Sequence, residues 1–456
     1  MQNEAIQRFR AAFYRFAIAL TGGGSEFIAH YLTLPGASAT FLDAAIPYCQ
    51  QATDEYLGFH PEGYCTEQVA RQLAAKALWR AAKFDHTDVT EETNAQLTLK
   101  EDLLGVGVTA SLATSRPKKG AHRVYCAVLS YRGAFSASLF LKKNARSRLE
   151  EEHITADFIL NVLNFAIERL KQLEHSQADP AQYWREFSES LPIQDYFDAL
   201  PEDSATISYA FIDRRSAQFL YAPDFRDAND AQVQALLWRS GTPETALVAK
   251  SNTVALYPYV QFLQEDYAQP LPDSDLSTSH AFFPGSFNPP HQGHYKIVAL
   301  ADQILKTTVA PEISAVNVDK PPLDPIEIIR RMRALNSALP ERDAWLTNAP
   351  LYRQKAQIAP NATFVVGTDT ILRLADPKYE NNDVTQRDAM LRLLSEHNAR
   401  FLVFSRRVND KIYNVNDLRV SLPQPLASMC EFVEPDVFLD DSSSSELRRK
   451  ERKQLD

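Results

Sequence analysis

The sequence contains the stretch Phe282-Phe283-Pro284-Gly285-Ser286-Phe287-Asn288-Pro289-Pro290-His291-Gln292-Gly293-His294, from which the fold of the C-terminal part follows. An apolar run ends in a turn of small residues, and apolar positions at helical spacing continue from Tyr295 to Leu305. This order predicts a strand, a loop and the start of a helix. Glycine lets the backbone approach a phosphate closely, and the free N–H groups of a helix start favour negative charge. The stretch therefore predicts a site for a phosphate-bearing ligand.

Two histidines stand at the junction between the predicted loop and the predicted helix. His291 and His294 are three residues apart, so they share a face of the first helical turn. The segment Asn288-Pro289-Pro290 stiffens the loop, because proline fixes its own φ and restricts the residue before it. An isolated pair of histidines could equally belong to a structural turn, and only the whole string after a strand favours a ligand site.

The rest of the C-terminal part alternates between strand and helix patterns. Further strands are predicted at Ile313–Val318, Phe364–Val366, Phe401–Phe404 and Glu431–Val433, with helix patterns between them. Such alternation indicates a Rossmann-like, doubly wound parallel sheet. Ligands of these sheets bind at the carboxyl ends of the strands, where the opening loop is predicted to lie.

Three motifs give this region a family resemblance. The string from Gly285 to His294 resembles the H-x-G-H motif of the nucleotidyltransferase superfamily, and its Asn-Pro-Pro form resembles nicotinamide or nicotinate mononucleotide adenylyltransferases. Cytidylyltransferases of the superfamily usually have Asp in place of Asn288. Gly367-x-Asp369 and Ser443-Ser444-Ser445-x-Leu447-Arg448 resemble two further motifs in family order. A turn residue that caps a helix would explain the first equally well, and an N-capped, charged terminal helix is the alternative for the second.

The resemblance implies roles for individual residues. His291 and His294 would donate hydrogen bonds to the α- and β-phosphates of ATP, and Arg448 would hold the outer phosphates. Asp369 would accept hydrogen bonds from ribose hydroxyls. The other nucleotide-binding residues implied in this way are Gly285, Ser286, Phe287, Gly293, Gly367, Ser443, Ser444 and Ser445.

Two weaker candidates concern the second substrate. Lys320 falls where the family places a mobile substrate loop and is a candidate phosphate ligand, and Trp345 is a candidate stacking partner for a pyridine ring. A solvent-exposed lysine and a core tryptophan explain the same two residues.

The function implied by the resemblance is adenylyl transfer from ATP to nicotinamide or nicotinate mononucleotide, which gives NAD or its acid analogue and pyrophosphate. Mg²⁺ is expected to arrive with ATP, because the sequence has no carboxylate cluster for a dedicated metal site. Two alternatives stay open. The chain could transfer another nucleotide, such as a cytidylyl group, to a different phosphate, or it could bind nucleotides as a scaffold or sensor without turnover.

The N-terminal part resembles a different family, the CinA C-terminal family of nicotinamide-nucleotide amidases. The resemblance implies an α/β domain and rests on five segments in family order. These are Thr21-Gly22-Gly23, Leu34–Leu42, Ala45–Tyr48, Tyr56–Gly58 and Val106–Thr109.

The amidase site of that family is altered in this sequence. Ala19 stands where the family has its presumed serine nucleophile, and alanine has no oxygen with which to attack an amide. Thr53 replaces the lysine that would activate the serine, and the glycine-rich loop appears as Thr109–Thr114 without its glycines. We expect no amidase activity. A structural or dimerisation role is the default expectation, and retained nucleotide binding is the alternative.

Three segments are predicted along the 456 residues. They are a CinA-like domain over residues 1–172, an intervening segment with a linker over 173–279, and a nucleotidyltransferase domain over 280–456. Within them, the spacing of apolar residues from Ile6 to Leu20 predicts a helix, and Val233–Trp238 is interpreted as a short helix.

Composition limits the class of protein and its partners. Hydrophobic residues make up 45% of the chain and charged residues 23%, as in soluble globular proteins. A formal charge of −10 argues against a general nucleic-acid binder. Four scattered cysteines, a polar N-terminus and no long apolar run favour a cytoplasmic protein without a membrane partner. A homo-oligomer formed through the CinA-like domain is left open.

Overall fold

The protein is described here by a computed structural model. Its described residues are 6–7, 10–85, 102–115, 118–130, 132–175, 187–192, 203–211, 235–238, 248–250, 281–315, 323–339, 342, 344–347, 349–380, 382–407 and 412–438. The chain divides into two units. The first holds Met1–Pro223, Leu323–Ile329 and Asp456, and the second holds Asp224–Pro322 and Arg330–Leu455.

The described part of the first unit is built on a seven-stranded sheet of order β2-β1-β3-β4-β5-β7-β6. Its strands are β1 (Arg15–Thr21), β2 (Phe41–Ala45), β3 (Leu103–Ser111), β4 (His122–Ser130), β5 (Gly133–Leu141), β6 (Phe187–Pro192) and β7 (Ser204–Phe211). Strand β1 runs parallel to β2 and β3. The remaining pairs are antiparallel. The sheet is therefore mixed, with its parallel pairs at the β1 end.

Four helices accompany this sheet in the described residues, namely α1 (Ser25–Thr33), α2 (Gln50–Leu57), α3 (Glu67–Phe84) and α4 (Arg148–His175). Helix α3 is capped at its start by Thr66, whose hydroxyl accepts a hydrogen bond from the Val69 N–H at 3.2 Å. It packs directly on β3. A Cβ at Gly107 would lie 2.0 Å from the carbonyl oxygen of Ala70, so only glycine permits this approach.

The helix predicted from Ile6 to Leu20 is wrong over its second half, which forms β1. Residues Phe16–Leu20 are completely or almost completely buried. A strand with both faces covered reads as a continuous apolar run, and such a run also matches helical spacing. Strand β1 lies inside the sheet between β2 and β3, and this position accounts for the burial of both faces.

The described part of the second unit is built on an eight-stranded sheet of order β15-β14-β13-β10-β11-β12-β8-β9. Its strands are β8 (Ala235–Trp238), β9 (Val248–Lys250), β10 (Ala281–Pro284), β11 (Val309–Ser314), β12 (Ala344–Thr347), β13 (Thr363–Gly367), β14 (Arg400–Phe404) and β15 (Cys430–Val433). Strands β10 to β15 pair in parallel, and β8 and β9 extend the sheet in antiparallel fashion. The parallel α/β fold predicted for this region is confirmed.

The described helices of this region are α5 (Gln292–Leu305), α6 (Pro325–Ala338), α7 (Tyr352–Ile358), α8 (Thr368–Ala375), α9 (Val384–Glu396), α10 (Val415–Ser421) and α11 (Gln424–Met429). Aromatic side chains fill the core on one face of the sheet, where the ring centroid of Phe364 lies 6.2 Å from that of Phe282 and 5.9 Å from that of Phe401 on the neighbouring strands. No helix among the described residues is both long and apolar enough to span a bilayer.

The stretch 173–279 contributes strands to both sheets. Strands β6 and β7 complete the edge of the first sheet. The short helix expected at Val233–Trp238 is wrong, because Ala235–Trp238 pairs with β12 as a strand. Four apolar residues carry too little periodicity to separate a helical turn from a strand, and the pairing with β12 decides the outcome.

Candidate functional site

The loop after β10 is held against the next strand of the sheet. The Gly285 N–H donates a hydrogen bond to the carbonyl oxygen of Glu312 in β11, at 2.9 Å. A Cβ at position 285 would lie 2.8 Å from the ring of Phe287, so this turn requires glycine. The loop leaves the sheet at the carboxyl end of β10, as the sequence predicts.

Phe287 fixes the shape of this loop. Its φ of 42° lies in the left-handed region, which costs energy for a residue with a side chain. The ring is 1% exposed. It packs against Phe283 and His294, with ring centroids 5.5 and 4.9 Å away. Burial of the ring offsets the strain and ties the loop to the first turn of α5. The Asn288–Pro289 peptide bond is cis.

The two histidines meet at the start of α5, as their spacing predicts. Their rings stack with centroids 3.7 Å apart. The His291 N–H donates a hydrogen bond to Nδ1 of His294 at 3.1 Å. A neutral imidazole that accepts at Nδ1 carries its proton on Nε2, so this bond selects the tautomer of His294. Both side chains are partly exposed, and Gly293, which precedes His294 in the chain, is buried.

The Gly-x-Asp turn lies beside this loop through strand pairing. Strand β10 pairs in parallel with β13, so their carboxyl ends share an edge of the sheet. Gly367 precedes α8, and a Cβ at that position would lie 2.6 Å from Oδ1 of Asp369. The carboxylate therefore folds back over the strand end, and it stays partly exposed. The structure thus places Asp369 on the same edge of the sheet as the histidine loop.

The remaining predicted residues fall into two groups. Trp345 is described, and it is buried in the core with its ring edge-on to Phe282 at a centroid distance of 5.9 Å. This packing explains the tryptophan without a ligand. Lys320 and the motif residues Ser443, Ser444, Ser445 and Arg448 lie outside the described residues.

Two charged residues near the loop escaped sequence reasoning. Arg331 of α6 donates a hydrogen bond from Nη1 to the carbonyl oxygen of Ser286 at 3.1 Å, which brings a permanent positive charge to the loop. The sequence has no signal for it, since arginines on a helix are ordinary. Glu312 lies buried in β11. It was missed because the sequence predicts this strand to begin only at Ile313, whereas β11 runs from Val309 to Ser314.

The described residues contain no group of three or more His, Cys, Asp or Glu side chains arranged to hold a metal ion. The donors gathered at the loop are imidazole and backbone N–H groups and an arginine. This set suits phosphate oxygens better than Mg²⁺, which prefers carboxylate oxygens and water.

In the first unit, the residues at the two positions where the sequence predicts the loss of a nucleophile and of its activating base are buried. Ala19 is completely buried in β1. Thr53 is 2% exposed, and its hydroxyl donates hydrogen bonds to the carbonyl oxygens of Pro47 and Cys49 at 2.8 and 3.1 Å. A threonine in this place ties the start of α2 to the preceding loop.

Two adjacent glutamates of α4 accept hydrogen bonds from the loops that follow β1 and β3. Glu152 Oε1 accepts hydrogen bonds from the N–H of Gly24 at 2.8 Å and the hydroxyl of Ser25 at 3.0 Å, at the start of α1. Glu151 accepts from the Ala113 N–H at 2.6 Å and pairs with His122 at 2.6 Å. The two carboxylates thus satisfy backbone N–H groups in both loops.

Comparison with known proteins agrees with this geometry in the C-terminal part. Residues 282–450 match the family described as cytidylyltransferase-like. This part of the chain is a nucleotidyltransferase-like domain. A comparison with curated proteins gave no match.

Solved structures similar to the chain include proteins described as members of the competence-damaged (CinA) superfamily, and two further similar structures are competence or damage-inducible proteins. A competence or damage-inducible protein from Enterobacter asburiae is 12% identical, with a TM-score of 0.27 over 37% of this chain and 96% of its own. The competence/damage-inducible protein CihA from Agrobacterium tumefaciens is 18% identical, with a TM-score of 0.25 over 38% and 93%. At these values the likeness says nothing about activity.

Proposed function

We propose that the nucleotidyltransferase-like domain transfers the adenylyl group of ATP to nicotinamide or nicotinate mononucleotide. The observation that carries the proposal is the stacked pair His291 and His294 at the start of α5, on the loop whose sequence is Gly-Ser-Phe-Asn-Pro-Pro-His. Asn288 supports the adenylyl donor, because the cytidylyltransferases that the motif resembles usually have Asp at this place.

In the proposed reaction, a phosphate oxygen of the mononucleotide attacks the α-phosphorus of ATP. The bond between that phosphorus and the oxygen bridging to the β-phosphate breaks, and pyrophosphate leaves with the electron pair. No covalent intermediate with the protein is needed, so catalysis consists of positioning and charge stabilisation. Mg²⁺ bound to ATP would neutralise part of the phosphate charge.

The chain's own residues supply the remaining stabilisation. The Nε2–H of His294 points away from the bond that fixes its Nδ1, and it would donate to a phosphate oxygen as charge builds on the leaving group. His291 would act on the neighbouring phosphate, and the helix start adds a favourable dipole. Asp369 would accept hydrogen bonds from a ribose. Arg448 would hold the outer phosphates.

A second candidate is cytidylyl transfer, which the description of the matching family favours. One experiment separates the candidates. The purified protein is incubated with Mg²⁺, each nucleoside triphosphate in turn and each mononucleotide, and pyrophosphate and the dinucleotide product are measured. Formation of a pyridine dinucleotide with ATP is the expected result. Turnover with CTP alone would overturn the adenylyl proposal, and no turnover with any pair would favour a nucleotide-binding scaffold.

The first unit is proposed to have lost amidase activity. The buried Ala19 lacks a nucleophilic oxygen, and the donors of Gly24 and Ala113 are bound to glutamates. A structural role accounts for these features. Release of ammonia from nicotinamide mononucleotide by the purified protein would overturn this part of the proposal.

A further inference from the structure

A buried cluster of charge lies at the carboxyl end of β11. Lys355 of α7 donates a hydrogen bond to Oε1 of Glu312 at 2.6 Å, and the hydroxyl of Thr347 donates to the same oxygen. The three residues are between 3% and 6% exposed. Burial of a carboxylate is costly unless its oxygens receive hydrogen bonds, and here both donors serve Oε1.

The second oxygen of this carboxylate is in a different situation. Oε2 of Glu312 is buried, and no donor among the described residues contacts it. A buried carboxylate oxygen without a donor destabilises the folded state, because it loses its hydration and gains no hydrogen bond in exchange. Such an atom is a ready acceptor for a donor that a ligand would bring.

The position of Glu312 relates it to the proposed site. Its carbonyl oxygen accepts from the Gly285 N–H, so the residue directly adjoins the histidine loop. Burial raises the pKa of Tyr352, and the charges of Glu312 and of Asp369 raise it further, so both carboxylates lie near one phenol. Glu312 in β11 and Asp369 after β13 therefore lie on either side of β10, whose carboxyl end carries the histidine loop.

We propose that Oε2 of Glu312 accepts a hydrogen bond from the carboxamide of the pyridine ring, and so selects nicotinamide mononucleotide over nicotinate mononucleotide. This inference rests on the proposed function. The carboxamide brings an N–H donor, whereas the carboxylate of nicotinate would meet a second carboxylate in a buried place. Lys355 offsets part of the charge of Glu312, so the preference rests on the match between an N–H donor of the substrate and Oε2. A site with a buried acceptor rejects a substrate that lacks the matching donor.

The test is the kcat/KM for each mononucleotide with saturating MgATP, in the wild type and in Glu312→Gln. The wild type is expected to favour nicotinamide mononucleotide at least tenfold. In Glu312→Gln the amide can donate to a carboxylate, so the preference is expected to fall at least tenfold, with the KM for ATP unchanged. The double variant Glu312→Gln with Lys355→Gln repeats the test without leaving an unpaired buried ammonium.

The matched control is Asp302→Asn. Asp302 accepts a hydrogen bond from the N–H of Val309, at the end of β11 opposite to Glu312, and it pairs with Arg342. Asp302→Asn therefore also exchanges a hydrogen-bonded carboxylate for an amide. The Asp302→Asn variant is expected to favour nicotinamide mononucleotide over nicotinate mononucleotide by the same factor as the wild type.

Three outcomes would overturn the inference. A wild type that prefers nicotinate, or an equal loss with both mononucleotides in Glu312→Gln, would do so while leaving the proposed function intact. The equal loss would indicate a contact to a group that both substrates share, such as a ribose hydroxyl. Absence of turnover with either mononucleotide would overturn the proposed function, and this inference with it.

Discussion

The His291 N–H donates to Nδ1 of His294, and the two imidazole rings stack 3.7 Å apart. His291, which precedes the first residue of α5, thus also orients the ring of His294 in the first helical turn. Because Nδ1 accepts this bond, a neutral His294 carries its proton on Nε2, the atom proposed above to donate to a phosphate oxygen. The acceptor that caps the helix and the proposed catalytic donor are therefore the two nitrogens of one imidazole ring, that of His294. Substitutions of His294 can keep one of these functions and remove the other.

His294→Asn and His294→Gln make this separation. The Asn side chain places an acceptor near the position of Nδ1 but has nothing at Nε2, and the Gln side chain reaches further. We expect His294→Asn to unfold at the wild-type denaturant concentration and to lose about 100- to 1,000-fold in kcat, the cost of one preorganised donor to a developing charge. His294→Gln is expected to retain more activity than His294→Asn and to be less stable. Steady-state pyrophosphate release and urea unfolding measure the two properties.

Equal activity in the two variants would contradict the assignment of Nε2 as the donor. A loss of stability in His294→Asn as large as in His294→Gln would show that the bond from the His291 N–H does not depend on an acceptor at the near position.

Gly285→Ala tests whether the loop depends on the fit between this residue and Phe287. The added Cβ would lie 2.8 Å from the ring, and the ring cannot retreat because it is buried. We expect the free energy of unfolding to fall by about 1–3 kcal/mol, as in other overpacked sites, and activity to fall with it. The matched control is Gly120→Ala, whose Cβ would meet nothing within 4 Å. If both variants unfold like the wild type, the ring does not restrict the loop.

The sequence predicts local elements well where a chemical signal marks their ends. Thr66 at the start of α3 and the Pro-Pro-His segment before α5 are such signals, and both helices begin where they indicate. Residues 16–20 carry no such mark. Their unbroken apolar run satisfies a helix as well as a strand, and only the neighbours β2 and β3 decide.

The parts of the site that escaped prediction depend on contacts between distant positions. Lys355 and Glu312 are 43 residues apart, and Arg331 and Ser286 are 45 apart. A single sequence has no periodicity that joins them, because each pair is created by the order in which strands and helices pack. Glu312 precedes the strand predicted to begin at Ile313, so neither its place in β11 nor its burial was predicted.

Arg331→Met removes the charge that reaches the histidine loop. The guanidinium donates to the Ser286 carbonyl at an exposed place, so the effect on stability is expected to be small. The KM for ATP is expected to rise about three- to tenfold, because a nearby phosphate would lose an attractive charge, and the rise is expected to shrink at high salt. Arg392→Met, on the exposed face of α9, is the control with the same change in net charge. A KM that rises equally in both variants would contradict a local role for Arg331.

The first unit offers a test of the proposed loss of amidase activity. Ala19→Ser restores the hydroxyl that the resemblance implies, yet the site around it is expected to stay inactive. Thr53 cannot serve as the base, since its hydroxyl donates to the Pro47 carbonyl at 2.8 Å. The Ala113 N–H, which could stabilise an oxyanion, is bound to Glu151 at 2.6 Å. We therefore expect no ammonia from nicotinamide mononucleotide in the wild type, in Ala19→Ser or in Ala19→Ser with Thr53→Lys.

Glu152→Ala shows what the glutamates contribute instead. Its carboxylate receives the Gly24 N–H and the Ser25 hydroxyl at the start of α1, so its loss is expected to lower the free energy of unfolding by about 1 kcal/mol, as for other helix caps. Adenylyl transfer is expected to stay unchanged. Thermal unfolding monitored by circular dichroism measures the first effect, and the pyrophosphate assay measures the second.

Ammonia release that appears in Ala19→Ser and depends on the new hydroxyl would show that the unit still holds an amidase site, and that only its nucleophile is missing.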